Sequence, residues 1–256
     1  MERISQSADK QQNPVVIGVD GCRAGWIAAI DINDTIVVDV YPTFMDLLTS
    51  WSNAFHILVD IPIGLPCKII PSRECDVLAR KLLGSRASSV FSPPCRQAAY
   101  AATIEEARKL NILELHRSLS AQAWGICRKI AEVDQVLLSN RDLQEKVYEV
   151  HPEVCFSALN GSRPMNHSKR TSLGKKERLD LLTLWERQAR DVVETVSRRY
   201  KRCEVQVDDV LDAMVALITA RSKKSNFNSM PDPPQVDEKG MPMRIIYSSQ
   251  HRNPVR

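Results

Sequence analysis

Two apolar runs, each closed by a single carboxylate, do most to limit what this chain can fold into. The first is Val15 to Asp20 in VVIGVDGCRAGW. Gly21 and Gly25 supply the freedom a tight connection needs and Ile27 to Ile32 resume an apolar run, which predicts a hairpin with Asp20 at its mouth. The second, HILVDIPIG from His56 to Gly64, ends in Asp60, and Pro62 keeps Ile61 extended. Continuously apolar runs are strands buried on both faces, and ligands in such sheets collect at the carboxyl ends of the strands. An unpaired buried carboxylate is costly, so these acids must meet a cation, hydrogen-bond donors or solvent. Taken alone, Asp20-Gly21 is equally well explained as a turn dipeptide.

Thr35 to Tyr41 reads as a third strand and Pro42 to Trp51 as a short helix. Residues 72–145 turn helical and read as an insertion, with RECDVLARKLLG stopped by Gly84 and a longer helix over Leu113 to Leu138. The Ser- and Pro-rich stretch between them, carrying Arg86 and Arg96, reads as a loop over one face. Strand pattern returns at Lys146 to Glu153, where alternation puts Glu149 and His151 on one face. The basic stretch with Lys169, Arg170, Lys175, Lys176 and Arg178 is either a solvated loop or a phosphate-binding patch.

Arg178 to Tyr200 has the periodicity of one amphipathic helix. In DDVLDAMVALITA, Asp208 is placed as an N-cap, while Asp209 and Asp212 share a helical face. Ala213, Ala216 and Ala220 continue that face, and their small side chains would let the helix approach a sheet closely. From residue 222 to 240 the chain reads as loop, and MPMRIIYSS as a final short strand.

A length of 256 residues with 43% hydrophobic content suits one domain over residues 14–256, preceded by a disordered tail at 1–13. A net charge of +4 permits a polyanionic partner without requiring one. The seven cysteines include no Cys-x-x-Cys pair, which argues against a zinc cluster or a disulfide scaffold and for reduced thiols in a cytoplasmic setting. No run approaches the ~18 apolar residues of a membrane span. Self-association stays open, so a homo-oligomer is not excluded.

Asp20, Asp60, Asp209 and Asp212 come from distant parts of the chain. Such acids crowd together ionised only around a cation, and hard oxygen ligands select Mg²⁺ or Mn²⁺. Two ions so held, roughly 3.5–4 Å apart, do phosphoryl chemistry.

GVDGCRAGW, VDIPIGL, CDVLARKLLGSRASSVFSPP, YEVHPEVCFSALNG and DDVLDA, in this order, resemble the predicted ribonuclease H-like nuclease family catalogued as domain of unknown function 429. One departure is Ala24, where the family usually has a second Gly in its turn. The resemblance implies an α/β ribonuclease H-like fold, a mixed five-stranded sheet ordered 3-2-1-4-5, with the helical insertion between the fourth and fifth strands. By further similarity to RuvC-type nucleases it implies Asp20, Asp60, Asp209 and Asp212 as metal-binding catalytic acids acting on nucleic acid. Glu149, on the fifth strand, would flank Asp60 as a further catalytic acid or position a basic side chain, with His151 orienting it or serving as a base. Two other readings remain: a non-catalytic nucleic-acid-binding or scaffolding module of the same fold, and an actin-like ATP phosphotransferase. Nine glycines are few for the phosphate and adenosine loops that the last requires.

Overall fold

The computed structural model describes residues 13–249, so the tail expected at 1–13 lies outside the described residues apart from Asn13. Its centre is a five-stranded mixed sheet in the order β3-β2-β1-β4-β5. The strands are β1 Val16–Cys22, β2 Gly25–Ile32, β3 Thr35–Tyr41, β4 His56–Val59 and β5 Val147–Glu149. β1, β2 and β3 run antiparallel in sequence, whereas β4 and β5 join in parallel on the other side of β1. The β1–β2 hairpin closes at the Cys22–Gly25 pair, so Arg23 and Ala24 form its turn. Positive φ falls on Gly25 (134°) and not on Ala24, so the turn has no need of a second glycine at position 24.

Period-two alternation sorts the sheet's two faces. Ile17, Val19, Ile57, Val59 and Val147 pack with Phe44 and Leu47 of α1 (Phe44–Ser50) and with Ile130, Val133 and Leu137 of α5 (Ala121–Ser139). The opposite face, with Val16, Ile27, Ala29, Leu58 and Tyr148, packs against α9 (Val207–Ala220). Gly18 lies under that helix: a Cβ there would stand 2.1 Å from Leu217 N and 2.2 Å from Ala213 O. Helix and sheet thus touch backbone to backbone through Gly18 and the alanines of α9. The helices α6 (Pro152–Leu159), α7 (Ser172–Trp185) and α8 (Ala189–Arg199) flank α9 on this side.

The stretch between β4 and β5 is helical, but its long helix is broken. α4 (Ile104–Leu115) ends at His116 in the left-handed region, φ 54°, and α5 restarts after Ser120, whose side chain accepts the Ala123 N–H. α2 (Glu74–Leu83) stops at Gly84 as its sequence signals, and α3 (Arg96–Ala99) follows Cys95.

The helix expected over Arg178–Tyr200 is likewise two, because Glu186 leaves the helix to accept Arg221 at 2.5 Å and the Gln188 N–H at 2.7 Å. The fifth strand is shorter than its pattern because Pro152 opens α6. The expected loop 222–240 contains a strand, β6 Asn228–Val236, which pairs antiparallel with β7 Pro242–Tyr247 as a separate two-stranded sheet. Pro231, Pro233 and Pro234 hid it, since proline in a run argues against a strand except at edges and bulges, and this ladder is interrupted between Met230 and Gln235. All seven cysteines are free thiols, and among the described residues no helix is long and apolar enough to cross a membrane.

Candidate active site

The parallel register pairs Val19 with Val59, and the Asp60 N–H continues the ladder to Val19 O at 3.0 Å. Asp20 and Asp60 therefore stand side by side just past a shared pair. Alternation turns both toward the α9 face, opposite Val19 and Val59. α9 brings Asp212 and Asp209 to the same place from above, held down by the Gly18 contact. Asp20 lies in the fields of Asp60, Asp212 and Asp209. Burial first, then Asp60 and Asp212, raise its pKa well above the ordinary carboxylate range. Burial likewise lifts Asp60 to about 7 and Asp209 to about 6.

Lys169 enters this group from the basic stretch before α7. Its Nζ lies 2.5 Å from Asp212 Oδ2, and the charges of Asp212, then Asp20 and Asp60, hold it protonated beyond the usual ammonium range. Asp212 is 1% exposed, and its second oxygen, Oδ1, has no hydrogen-bond partner. A buried carboxylate oxygen without a partner fits the approach of a cation or a donor. Glu153, at the first turn of α6, adds a buried carboxylate within reach of Asp60, but Arg178 clamps it with contacts of 2.6 and 2.7 Å.

Asp20, Asp60, Asp209 and Glu153 open onto a cleft of about 1070 Å³, with exposed Arg23, Arg128 and Arg170 at its walls together with half-buried Arg86; Asp212 lies buried behind them. His151 also faces it, with Nδ1 unpartnered and its pKa lowered by burial to about 4, so it is neutral at pH 7.

Glu149 stands elsewhere. Alternation on β5 puts it on the face of Val147, away from α9, where Oε2 accepts the Ile63 N–H at 2.7 Å and the Arg73 guanidinium. It also does not share a setting with His151, because the chain turns into α6 there. Glu149, Cys75 and Asp76 are the one trio of potential ligand groups, among the described residues, with ligand atoms all within 4.8 Å of one another. Fully buried Arg73 already sits between Glu149 and Asp76, 3.7 Å from the latter, and supplies the countercharge a metal would bring. No three acids of the cleft meet that spacing.

Asp208 does not cap α9. The N-cap is Gln206, and Asp209 accepts the Gln206 N–H at 2.8 Å, while Asp208 pairs with Lys175 at 2.9 Å.

A family model described as "Protein of unknown function (DUF429)" matches residues 18–236, a span that begins in β1 and ends with β6. The chain belongs to the DUF429 family. No curated protein and no solved structure matches it. In this DUF429 chain, sequence reasoning missed Lys169 and Glu153 as members of the cleft. Lys169 was hidden in a basic stretch that reads as solvated loop or phosphate patch, and Glu153 closed a run that read as strand. Arg96 was also misplaced, as loop: it bridges Asp134 at 2.9 Å and Asp237 at 2.5 Å and ties the insertion to the turn before β7.

Proposed function

We propose that this DUF429 protein is a ribonuclease H-like nuclease that hydrolyses phosphodiester bonds of nucleic acid with Mg²⁺ or Mn²⁺. Asp20, Asp60 and Asp212 are its metal-binding acids and Asp209 stands beside them. The observation that carries this reading is the bare, buried Oδ1 of Asp212 behind the cleft, a carboxylate whose charge acts on Asp20 and Asp60, which line the cleft from adjacent strands. The donors are all carboxylate oxygens, the set hard divalent cations prefer. A bound divalent ion would supply an activated water and offset charge gathering on the phosphate. Arg23, Arg128 and Arg170, exposed at the cleft walls, neutralise backbone phosphates and set the strand in register without reading bases. α9 fixes Asp212 against the sheet through Gly18, so the acids keep their mutual positions while substrate enters.

The wide spacing of the acids, with Lys169 among them, favours as a second reading a non-catalytic nucleic-acid-binding module of the same fold. A cleavage screen with Mg²⁺ and with Mn²⁺ over single-stranded, duplex, hybrid and branched substrates separates the two. Metal-dependent cleavage, absent in folded Asp20→Asn, supports the nuclease. Binding of substrate without cleavage by the wild type leaves the module.

A further inference from the structure

We propose that the Lys169 ammonium is a built-in cation of the carboxylate centre, so that the protein takes one divalent ion there and not two. The inference rests on the metal-dependent reading given above. Asp212 is divided between two environments: Oδ2 contacts Lys169 Nζ at 2.5 Å, and Oδ1 is buried and bare. An ion bound at Oδ2, ~2.1 Å from that oxygen, would share it with the ammonium and be repelled by its charge at close range. Oδ1 has no hydrogen-bond partner. Lys169 also lies in the fields of Asp20 and Asp60, so its charge is shared by the acids of both strands.

Charge balance points the same way. With Asp20, Asp60, Asp209 and Asp212 ionised and Lys169 present, one divalent ion leaves the centre with one net negative charge. A second would make it positive, beneath walls already carrying Arg23, Arg86, Arg128 and Arg170. Glu153 adds nothing to this balance because Arg178 neutralises it. Side-chain attachment makes Lys169 a cation that needs no concentration in solution to be present. Its loop is short-tethered: Thr171 caps α7 two residues on, accepting the Gly174 N–H at 3.0 Å.

Calorimetric titration of the full chain with MnCl₂, with no nucleic acid present, tests this by counting ions. The wild type should bind one Mn²⁺, K169R one, and K169M two, because the methionine keeps the length of the side chain and removes its charge. Two ions in the wild type, or one in folded K169M, would overturn the inference and leave the metal-dependent reading intact. No Mn²⁺ bound by either wild type or K169M would overturn both. Should K169M not fold, the wild-type and K169R counts decide: one ion in each supports the built-in cation, and two in either overturns it.

Discussion

Gly18 and Leu217 are in backbone contact: a Cβ on Gly18 would lie 2.1 Å from Leu217 N, closer than any side-chain carbon can come. The contact is what sets α9, and with it Asp209 and Asp212, at the height of Asp20 on the sheet. Gly18→Ala should therefore act at the cleft as well as in the core. Overpacking of this kind typically costs about 1–3 kcal/mol, and neither neighbour here is a flexible side chain that can yield. We expect a lowered melting temperature together with at least tenfold weaker Mn²⁺ binding in the fraction that folds. Unchanged binding in a folded variant would mean that the helix height does not position the acids.

The three neighbouring acids of α9 should differ in kind. Asp208 makes a partly exposed pair with Lys175, and such pairs contribute little, so Asp208→Asn should change stability by less than ~0.5 kcal/mol and leave cleavage alone. Asp209 accepts the Gln206 N–H, and Asp209→Ala should lose about 1 kcal/mol of stability even without metal. Asp212→Asn should abolish the rise in melting temperature that Mg²⁺ gives the wild type, because a ligand of the folded state alone stabilises by mass action. Thermal melts with and without 10-fold changes of Mg²⁺ check all three; a Mg²⁺ response retained in Asp212→Asn sinks the assignment.

Much of this was legible beforehand and some was not, for reasons that can be named. Apolar runs ending in Asp20 and Asp60 show in the sequence because strand burial is written in consecutive residues. The spacing of Asp209 and Asp212 shows for the same reason on a helix. Side-chain parity on a short strand is less secure: Glu149 stands one residue from a face change, and being on the sheet's other face sets it apart from Asp60 despite their adjacent strands. Lys169 was illegible because nothing local marks which lysine of a basic stretch folds inward; only the distant Asp212 decides it. β6 was lost because its prolines carry the signature of a loop.

Neutralising Glu149 should act differently from neutralising an acid of the cleft. Its carboxylate faces the fully buried Arg73, and removing one member of a buried pair costs about 3–5 kcal/mol because the other charge is stranded. Glu149→Gln should lower stability by an amount toward the low end of that range, with Asp76 at 3.7 Å relieving part of it. Mn²⁺ affinity and cleavage, measured at a temperature where the variant is folded, should match the wild type. Loss of metal binding without loss of stability would return Glu149 to the catalytic set.

Metal affinity should rise with pH. Burial lifts Asp60 to about 7 and raises Asp20, and a protonated carboxyl does not ligate, so the ion must displace protons below that pH. Mn²⁺ titrations should tighten between pH 6 and 8 and then level off. In the metal-free chain the same acids act in the opposite sense. The folded pKa lies above the unfolded value of about 3.9, so their contribution to stability is full below that value and is lost as pH climbs through about 7. Affinity flat across pH 6–8 would mean that Asp60 is not a ligand.

His56 should set part of the acid limit of the fold, far from any metal. It opens β4, 3% exposed, between Phe55, Tyr148 and Phe227, and neither ring nitrogen has a hydrogen-bond partner. Burial, aided by Lys224, lowers its pKa to about 4, so the folded protein holds the ring neutral where the unfolded chain, at about 6.5, takes a proton. Stability falls as pH drops from about 6.5 toward 4, and at pH 5 the loss amounts to about 2 kcal/mol. His56→Phe keeps the aromatic packing and removes the titration. Relative to wild type, the variant should therefore gain about 2 kcal/mol between pH 8 and pH 5 in urea unfolding. A wild-type-to-variant difference that stays constant across that interval would show that His56 is already protonated, or remains neutral, in both states.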